Sequence, residues 1–202
     1  MPSLDLIIWP LIGYLFGSIS SAILISKLFG LNDPRQQGSK NPGATNVLRS
    51  GNKFAAALTL FGDVLKGAIP VALAQYYGAP TAIIAVVCIT AFMGHLYPIF
   101  FGFKGGKGVA TAIGVFMALS WKIFSIFALV WLLVLAISRY SSLSALIAAA
   151  ITGLASFAVF NQAHQVQLIG AVFWIVAFLF LRHRENIEKL RAGKESKVGS
   201  KK

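Results

Sequence analysis

Residues 109–138 read VATAIGVFMALSWKIFSIFALVWLLVLAIS, and this stretch decides the topology of the chain. Lys122 is its only charged residue, so the segment is too apolar for a surface exposed to water. Crossing a hydrocarbon core of about 30 Å takes roughly 20 apolar residues in a helix. The stretch therefore fits either one long span or two short helices, 109–120 and 123–138, separated at Trp121 and Lys122.

The rest of the chain has the same apolar character. Among its 202 residues 57% are hydrophobic and 12% are charged, and the mean hydropathy is +0.76. Water-soluble domains carry about 25% charged residues. The sequence thus predicts an all-α fold, a polytopic integral membrane helical bundle. The other predicted spans are 4–28, 54–76, 80–97, 141–160 and 165–181.

Charge decides between the one-span and the two-span interpretation, because Lys and Arg are enriched in cytoplasmic loops. With two spans the N-terminus is outside, and all of the 18 basic residues except Lys122 lie on the cytoplasmic side. One span would instead translocate the basic C-terminal segment. We therefore predict about seven transmembrane helices with two short ones, a single membrane domain over residues 1–193, and a disordered basic cytoplasmic tail over 194–202.

The net charge of +12 indicates an anionic partner. In a soluble protein this charge would suggest nucleic acid. In a membrane protein it suggests cytoplasmic loops, anionic lipid headgroups or a phosphorylated substrate. Three polar segments on the predicted cytoplasmic side hold nearly all of the residues able to do chemistry. We name them the first motif (38–49), the second motif (94–111) and the third motif (182–190).

The first motif has the residue types of an anion-binding loop. Gly38 and Gly43 permit backbone conformations in which successive N–H groups converge on an anion. Arg49 adds a planar guanidinium that matches two phosphate oxygens. An ordinary turn-rich loop with lipid-facing basic residues explains the composition equally well. The neutral donors between these positions are Ser39, Asn41, Thr45 and Asn46.

The second motif surrounds two lysines with glycines at the predicted start of a helix. Backbone N–H groups and the helix dipole would both point at an anion bound there. The spacing is not that of a nucleotide-binding P-loop. A tight interhelical turn with cytoplasmic lysines is the alternative. The candidate residues are His95, Gly102, Lys104, Gly105, Gly106, Lys107, Gly108 and Thr111.

The third motif follows the last predicted span. His183 and Asn186 are three residues apart and share a face if the helix continues. A basic segment that contacts anionic lipid is the favoured interpretation on physical grounds alone, and a His–Asn face beside a phosphate site is the alternative. Asp63 and Lys66 are charged residues within a predicted span, where they either pair with each other or orient a basic residue of the site.

Together the three motifs resemble the acyl-phosphate-dependent glycerol-3-phosphate acyltransferase family of bacterial membranes. The matching segments are GSKNPGATN (38–46) with Arg49, FKGGKGVAT (103–111) and HREN (183–186). The resemblance implies that the 1-hydroxyl of glycerol 3-phosphate attacks the carbonyl of an acyl phosphate. Lysophosphatidic acid and inorganic phosphate would be the products, in phospholipid biosynthesis. It also implies a seven-span helical fold whose site faces the cytosol.

The resemblance implies roles for individual residues as well. Ser39 and Arg49 would bind the phosphate of glycerol 3-phosphate, while Lys104 and Lys107 would hold the phosphate of the leaving group. His183 and Asn186 would orient the acyl phosphate. The expected catalytic residues are Ser39, Arg49, Lys104, His183 and Asn186. The expected phosphate-binding residues are Gly38, Asn41, Gly43, Thr45, Asn46, Gly102, Gly105, Gly106, Lys107, Gly108 and Thr111. The expected supporting residues are Asp63, Lys66, His95 and Glu188.

We expect neither a metal nor a cofactor, and no nucleic-acid partner. A Mg²⁺-dependent phospholipid synthase needs clustered carboxylates, whereas Asp33 and Asp63 are the only acidic residues near the first two motifs. A phosphate or anion transporter is the alternative function, although it would hold its basic residues near the bilayer midplane. The resemblance implies the inner membrane of a bacterial cell, with the lipid bilayer and the enzyme that makes acyl phosphate from acyl carrier protein as partners.

Overall fold

The computed structural model describes residues 2–199, and every regular element within that range is a helix. Six helical segments are long and apolar enough to cross a membrane, and a further apolar helix is shorter. The prediction of an all-α, multi-pass membrane fold is therefore confirmed. Contacts along the backbone divide the chain into two compact units, Met1–Leu119 and Ser120–Lys202.

The first unit holds six helices. Its first apolar segment consists of α1 (Pro2–Gly17) and α2 (Ser21–Leu28), which are separated by a break at residues 18–20. The most extensive packing joins α1 to the fifth helix and the fourth helix to the sixth. These and the remaining helices are α3 (Ala44–Leu48), α4 (Lys53–Tyr76), α5 (Thr81–Leu96) and α6 (Val109–Leu119), with a 3-10 turn at Ile99–Phe101.

The second unit holds four helices. They are α7 (Trp121–Ser138), α8 (Ser141–Val159), α9 (Val166–Arg182) and α10 (Arg184–Arg191), with a 3-10 turn at Ala163–Gln165. α8 packs against α7 and α9, and α10 contacts both α8 and α9. Leu129, Leu133 and Ile137 of α7 are exposed, as expected of a helix that faces lipid.

Residues 109–138 form two helices, as the charge distribution predicts. The division falls at Ser120, whose extended backbone (φ −163°, ψ 124°) precedes the first turn of α7. α6 is short, with 11 residues. α7 has 18 residues and is longer than predicted, because Trp121 and Lys122 belong to its first turn and not to a connecting loop.

Two close helix contacts exist because glycine presents no side chain. A Cβ at Gly17 would collide with the carbonyl oxygen of Ala91, where α1 meets α5. A Cβ at Gly114 would collide with the carbonyl oxygen of Val64, where α6 meets α4. Small residues let membrane helices approach closely and gain van der Waals contact. These contacts set the spacing between α1 and α5 and between α4 and α6.

The C-terminal tail, which we predict to be disordered over 194–202, forms hydrogen bonds in its described part. Residues 194–199 hold no helix, and residues 200–202 lie outside the described residues. The backbone N–H of Val198 nevertheless donates to the carbonyl oxygen of Arg139 at 2.8 Å. Glu195 accepts a hydrogen bond from Ser142 at 2.7 Å. The described part of the tail therefore has defined partners on the cytosol-facing end that we predict for α8.

Gly114→Val should lower the melting temperature of the purified protein, because the added methyl groups cannot enter the contact with the Val64 carbonyl. Overfilling a close contact costs about 1–3 kcal/mol. Gly170→Ala is the control, since a Cβ at Gly170 meets nothing within 4 Å and alanine favours the helix. Thermal unfolding in detergent measures both, and an unchanged melting temperature for Gly114→Val would refute the packing argument.

Candidate functional site

The side chain of Asn46 organises the first motif. Its Nδ2 donates to the carbonyl oxygens of Pro34 and Gln37 at 2.7 and 3.1 Å. Its Oδ1 accepts from the backbone N–H of Ser39 at 2.9 Å. Asn46 is buried, and its amide hydrogens and oxygen are all engaged within the loop. This geometry favours a positioning role for Asn46 over the direct phosphate contact that we predict from the sequence.

Beside Asn46 lies a cleft of about 80 Å³, lined by Gln37, Gly38, Asn46, Arg49 and Ser50. Gly38 has a φ of +59°, and a Cβ there would collide with Oδ1 of Asn46. Arg49 follows the last turn of α3, and its side chain is exposed. The cleft therefore presents a guanidinium and a glycine backbone to an incoming anion.

Arg35 links the segment just before the first motif to the second motif. Its guanidinium lies 2.7 Å from the Asp33 carboxylate, and its Nη1 donates to the carbonyl oxygen of Phe101 at 3.3 Å. Hydrogen bonds from Arg35 hold the pKa of Asp33 below its usual range, although partial burial acts in the opposite direction. A lowered carboxyl pKa stabilises the fold above the unfolded-state pKa, and that contribution is lost as the pH falls through the folded-state pKa. The link is therefore intact at neutral pH.

The glycines of the second motif lie directly against the last turn of α5. A Cβ at Gly105 would collide with the carbonyl oxygen of His95, and one at Gly106 with its imidazole. A Cβ at Gly108 would collide with the ring of Phe92, and its φ of +88° also favours glycine. The backbone N–H of Gly106 donates to the carbonyl oxygen of His95 at 3.1 Å. The loop can therefore follow this path only with glycine at these positions.

The first and second motifs meet at Gly106, where an added Cβ would lie 3.1 Å from the carbonyl oxygen of Pro42. Lys104 is exposed and Lys107 is half-buried on the same loop, just before α6 begins at Val109 as predicted. The start of a helix attracts negative charge. Of the other candidates, the exposed ones are Ser39, Thr45 and Gly102, and the half-buried ones are Asn41 and Gly43.

A buried cluster of charged and polar groups adjoins the second motif. Nζ of Lys66 lies 2.8 Å from Oδ1 of Asp63 and donates to the carbonyl oxygen of Ile19 at 2.7 Å. Asp63 and Lys66 are 2% and 5% exposed. Nδ1 of His95 lies 3.8 Å from the same Asp63 oxygen. The pairing of Asp63 with Lys66 is confirmed, and His95 lies between this pair and Gly106.

Thr111 occupies the first turn of α6 and is fully buried. Its carbonyl oxygen lies where a Cβ at Gly67 would have to be, so the two residues form part of the contact between α6 and α4. Among the described residues its hydroxyl has no hydrogen-bond partner. This burial favours a packing role for Thr111 over the predicted contact with phosphate.

In the second unit, the third motif lies where α9 gives way to α10. His183 is buried, and its Nδ1 lies 2.8 Å from the carbonyl oxygen of Leu179. Nδ2 of Asn186 donates to Oε1 of Glu195 at 2.7 Å. Glu188 is exposed on α10. His183 stands in the turn between the two helices, so the continuous helical face predicted for His183 and Asn186 is interrupted.

Three contributors were not identified from the sequence, namely Arg35, Ser142 and Glu195. Arg35 acts on a carbonyl 66 positions away, and Ser142 acts on a carboxylate 53 positions away. For Glu195 the sequence did contain a signal, since it is the only acidic residue of the tail. Within residues 2–199, no group of three His, Cys, Asp or Glu side chains is arranged to hold a metal ion.

The chain matches the family model described as glycerol-3-phosphate acyltransferase over residues 7–193. It is 53% identical over 188 residues to a glycerol-3-phosphate acyltransferase of Methylobacillus flagellatus, covering 93% of this chain and 94% of the relative. It is also similar to the crystal structure of PlsY (YgiH), an integral membrane glycerol 3-phosphate acyltransferase, in its glycerol 3-phosphate form. That comparison gives 39% identity and a TM-score of 0.89, covering 96% of each chain. The lysophosphatidic acid form of PlsY gives 38% identity and a TM-score of 0.87, covering 96% of this chain and 95% of that one.

Lys66→Met should destabilise the protein strongly, because it leaves the Asp63 carboxylate buried without its cation. Removing one partner of a buried pair costs about 3–5 kcal/mol. The double variant Asp63→Asn/Lys66→Met should be more stable than Lys66→Met alone, since no uncompensated charge remains. Denaturant unfolding of the parent, both single variants and the double variant measures the coupling. Additive losses would show that the two side chains act independently.

Proposed function

The chain belongs to the glycerol-3-phosphate acyltransferase family, and on that premise we propose that it transfers an acyl group from acyl phosphate to the 1-hydroxyl of glycerol 3-phosphate. The products are lysophosphatidic acid and inorganic phosphate. The chain is a multi-pass membrane acyltransferase of phospholipid biosynthesis. The two forms of PlsY, with glycerol 3-phosphate and with lysophosphatidic acid, support this acceptor and this product.

The observation that carries the proposal is the exposure of two cations beside polar backbone in the joined first and second motifs. Arg49 lies at the cleft of the first motif, and Lys104 lies on the glycine loop. Within residues 2–199, neither of them forms a salt bridge with a carboxylate. Both substrates and one product of the proposed reaction carry phosphate. Two cations that protein carboxylates leave available suit that chemistry.

The contacts between the two motifs support a shared site. Gly106 of the second motif lies against Pro42 of the first. Arg35, just before the first motif, donates a hydrogen bond to the carbonyl of Phe101 in the second. Positioning two reactants against each other supplies a large part of the rate enhancement in transfer reactions. We assign glycerol 3-phosphate to Ser39 and Arg49, and the phosphate of the donor to the second motif.

An acyl phosphate is already activated, because its leaving group is a stable phosphate. The hydroxyl oxygen forms a bond to the carbonyl carbon, the bond from that carbon to the phosphate oxygen breaks, and the electron pair leaves with the phosphate. Lys104, Lys107 and the loop N–H groups stabilise this charge. An oxygen of a substrate phosphate accepts the hydroxyl proton. Cys88 is fully buried in α5 and is not accessible for forming a thioester. We propose that the acyl group is transferred directly.

The third motif contributes His183 and Asn186, which we assign to orienting the acyl phosphate. Support comes from Asn186, whose amide donates to an anionic oxygen, that of Glu195. Glu188 and the buried Asp63, Lys66 and His95 have supporting roles. We further propose that the protein lies in a bacterial inner membrane with the motifs and the C-terminus in the cytosol. There it receives acyl phosphate from the enzyme that makes this donor.

Arg49→Lys should lower kcat/KM at least tenfold, or about 1.4 kcal/mol in transition-state stabilisation. The variant keeps the charge but loses the planar fork that matches two phosphate oxygens.

The assay follows phosphate released from an acyl phosphate by purified protein in the presence of a chelator, with and without glycerol 3-phosphate. Release that depends on glycerol 3-phosphate supports the proposed reaction, and release only with Mg²⁺ would contradict metal independence.

Arg191→Lys is the matched control for Arg49→Lys, because Arg191 is an exposed arginine at the end of α10 and outside the three motifs. It should retain the kcat/KM of the parent. If Arg49→Lys behaves like this control, Arg49 acts only through its charge, as a determinant of membrane orientation.

The proposed orientation predicts which positions an impermeant thiol reagent can reach from outside intact cells. In a Cys88→Ser background, a cysteine replacing Gln162 should be labelled. Cysteines replacing Gln36 or Lys197 should be labelled only after the membrane is opened. External labelling at position 197 would show that the C-terminus is outside and would overturn the proposed orientation.

A further inference from the structure

Ser142 and Asn186 donate to the same oxygen of Glu195. Ser142 lies in the first turn of α8, and its Oγ is 2.7 Å from Oε1 of Glu195. Nδ2 of Asn186, in the first turn of α10, is also 2.7 Å from that atom. Ser142 is 7% exposed, so the hydroxyl is built into the protein and is not a mobile surface group. Two neutral donors from different helices thus converge on one anionic oxygen.

The segment that carries Glu195 is fastened to the N-terminal end of α8 at several points. The backbone N–H of Val198 donates to the Arg139 carbonyl at 2.8 Å, and Nη2 of Arg139 donates to the Val198 carbonyl at 3.1 Å. Nζ of Lys197 lies 5.6 Å from the centre of the Tyr140 ring, a distance at which a cation is attracted to the ring face. These contacts hold residues 195–198 in a defined path across the end of α8.

Most of the contacts of this segment are at the protein surface. Glu195 is partly exposed, the Arg139–Val198 hydrogen bond is exposed, and Lys197 is exposed. Hydrogen bonds and cation–π contacts in such positions contribute little net stability, because water replaces them at small cost. Glu195 therefore keeps its place mainly through Ser142 and Asn186, and these are donors that another anion can also use.

We propose that Glu195 competes with a phosphate oxygen of a substrate for the two donors that it occupies here, the Ser142 hydroxyl and the Asn186 amide. A carboxylate and a phosphate are both anionic acceptors, so each suits the two donors. They cannot occupy the donors together, because like charges repel and the donors are already used. The inference rests on the proposed function for the identity of the substrate, and on the contacts of Glu195 for the existence of the site.

Competition by a tethered group multiplies the apparent dissociation constant by the reciprocal of the fraction of molecules in which the site is free. If Glu195 fills the site in about nine molecules of ten, the apparent affinity for phosphate falls ~tenfold. Substrate binding and release of the tail are then coupled. Such an enzyme has a built-in limit on activity at low substrate concentration, and the limit disappears at saturation.

The test titrates inorganic phosphate into the purified full-length protein and measures the dissociation constant by calorimetry. Glu195→Ala should bind phosphate several-fold more tightly than the parent, and up to ~tenfold. Ser142→Ala/Glu195→Ala should lose this gain, because one of the two donors is missing. Ser196→Ala is the control: this exposed residue is next to Glu195 on the same segment, and its replacement should leave the dissociation constant unchanged.

Steady-state kinetics then identifies which substrate uses the site. In one series acyl phosphate is varied at saturating glycerol 3-phosphate. In the other, glycerol 3-phosphate is varied at saturating acyl phosphate. Glu195→Ala should lower KM for one of the two several-fold and leave kcat unchanged. An unchanged dissociation constant in Glu195→Ala, or a gain that persists without Ser142, would overturn the proposal. The titration uses no acyl donor, so failure of the acyl phosphate assay refutes the proposed donor and leaves this result standing.

Discussion

An ammonium group and a carboxylate are paired inside a helix long enough to cross a membrane, and the arrangement of the first unit depends on that pair. Charged groups in apolar surroundings persist only when they are paired and hydrogen-bonded. Lys66 meets both conditions, with Asp63 and with the carbonyl of Ile19. That carbonyl lies in the break between α1 and α2, so the pair also satisfies the end of a helix. The imidazole of His95 extends the cluster to the glycine loop.

The first and second motifs are held in place by polar side chains whose hydrogen bonds are already made within the protein. The side-chain amide of Asn46 hydrogen-bonds to the loop backbone. The guanidinium of Arg35 pairs with Asp33 and donates to the carbonyl of Phe101. The glycines of the second motif are required by close packing on α5. A site whose donors are fixed in this way needs little reorganisation when charge develops in the transition state. We propose that the exposed Arg49 and Lys104 then act on substrate.

Three of the six acidic residues of this strongly basic chain form contacts that organise its charged and polar groups. Asp33 pairs with Arg35, Asp63 pairs with Lys66, and Glu195 accepts from Asn186 and Ser142. Two of these carboxylates build the scaffold of the first unit. The third occupies donors in the second unit that suit a phosphate oxygen equally well. Among the described residues, this scarcity leaves the exposed Arg49 and Lys104 without an ion pair.

The sequence by itself determined the helical membrane fold, the division of residues 109–138 into two helices, and the three polar segments in which the candidate site residues lie. Apolar length and the placement of Lys and Arg are local properties of the chain, and the bilayer acts on them directly. Only the tertiary structure decided which polar residues are available to a ligand. Asn46 and Thr111 have the chemistry of phosphate ligands but are buried in the structure. Ser142 lies outside the three motifs, and its hydroxyl donates a hydrogen bond to a carboxylate 53 positions away. Hydrogen-bond satisfaction and burial depend on partners distant in sequence, and no spacing within a motif contains that information.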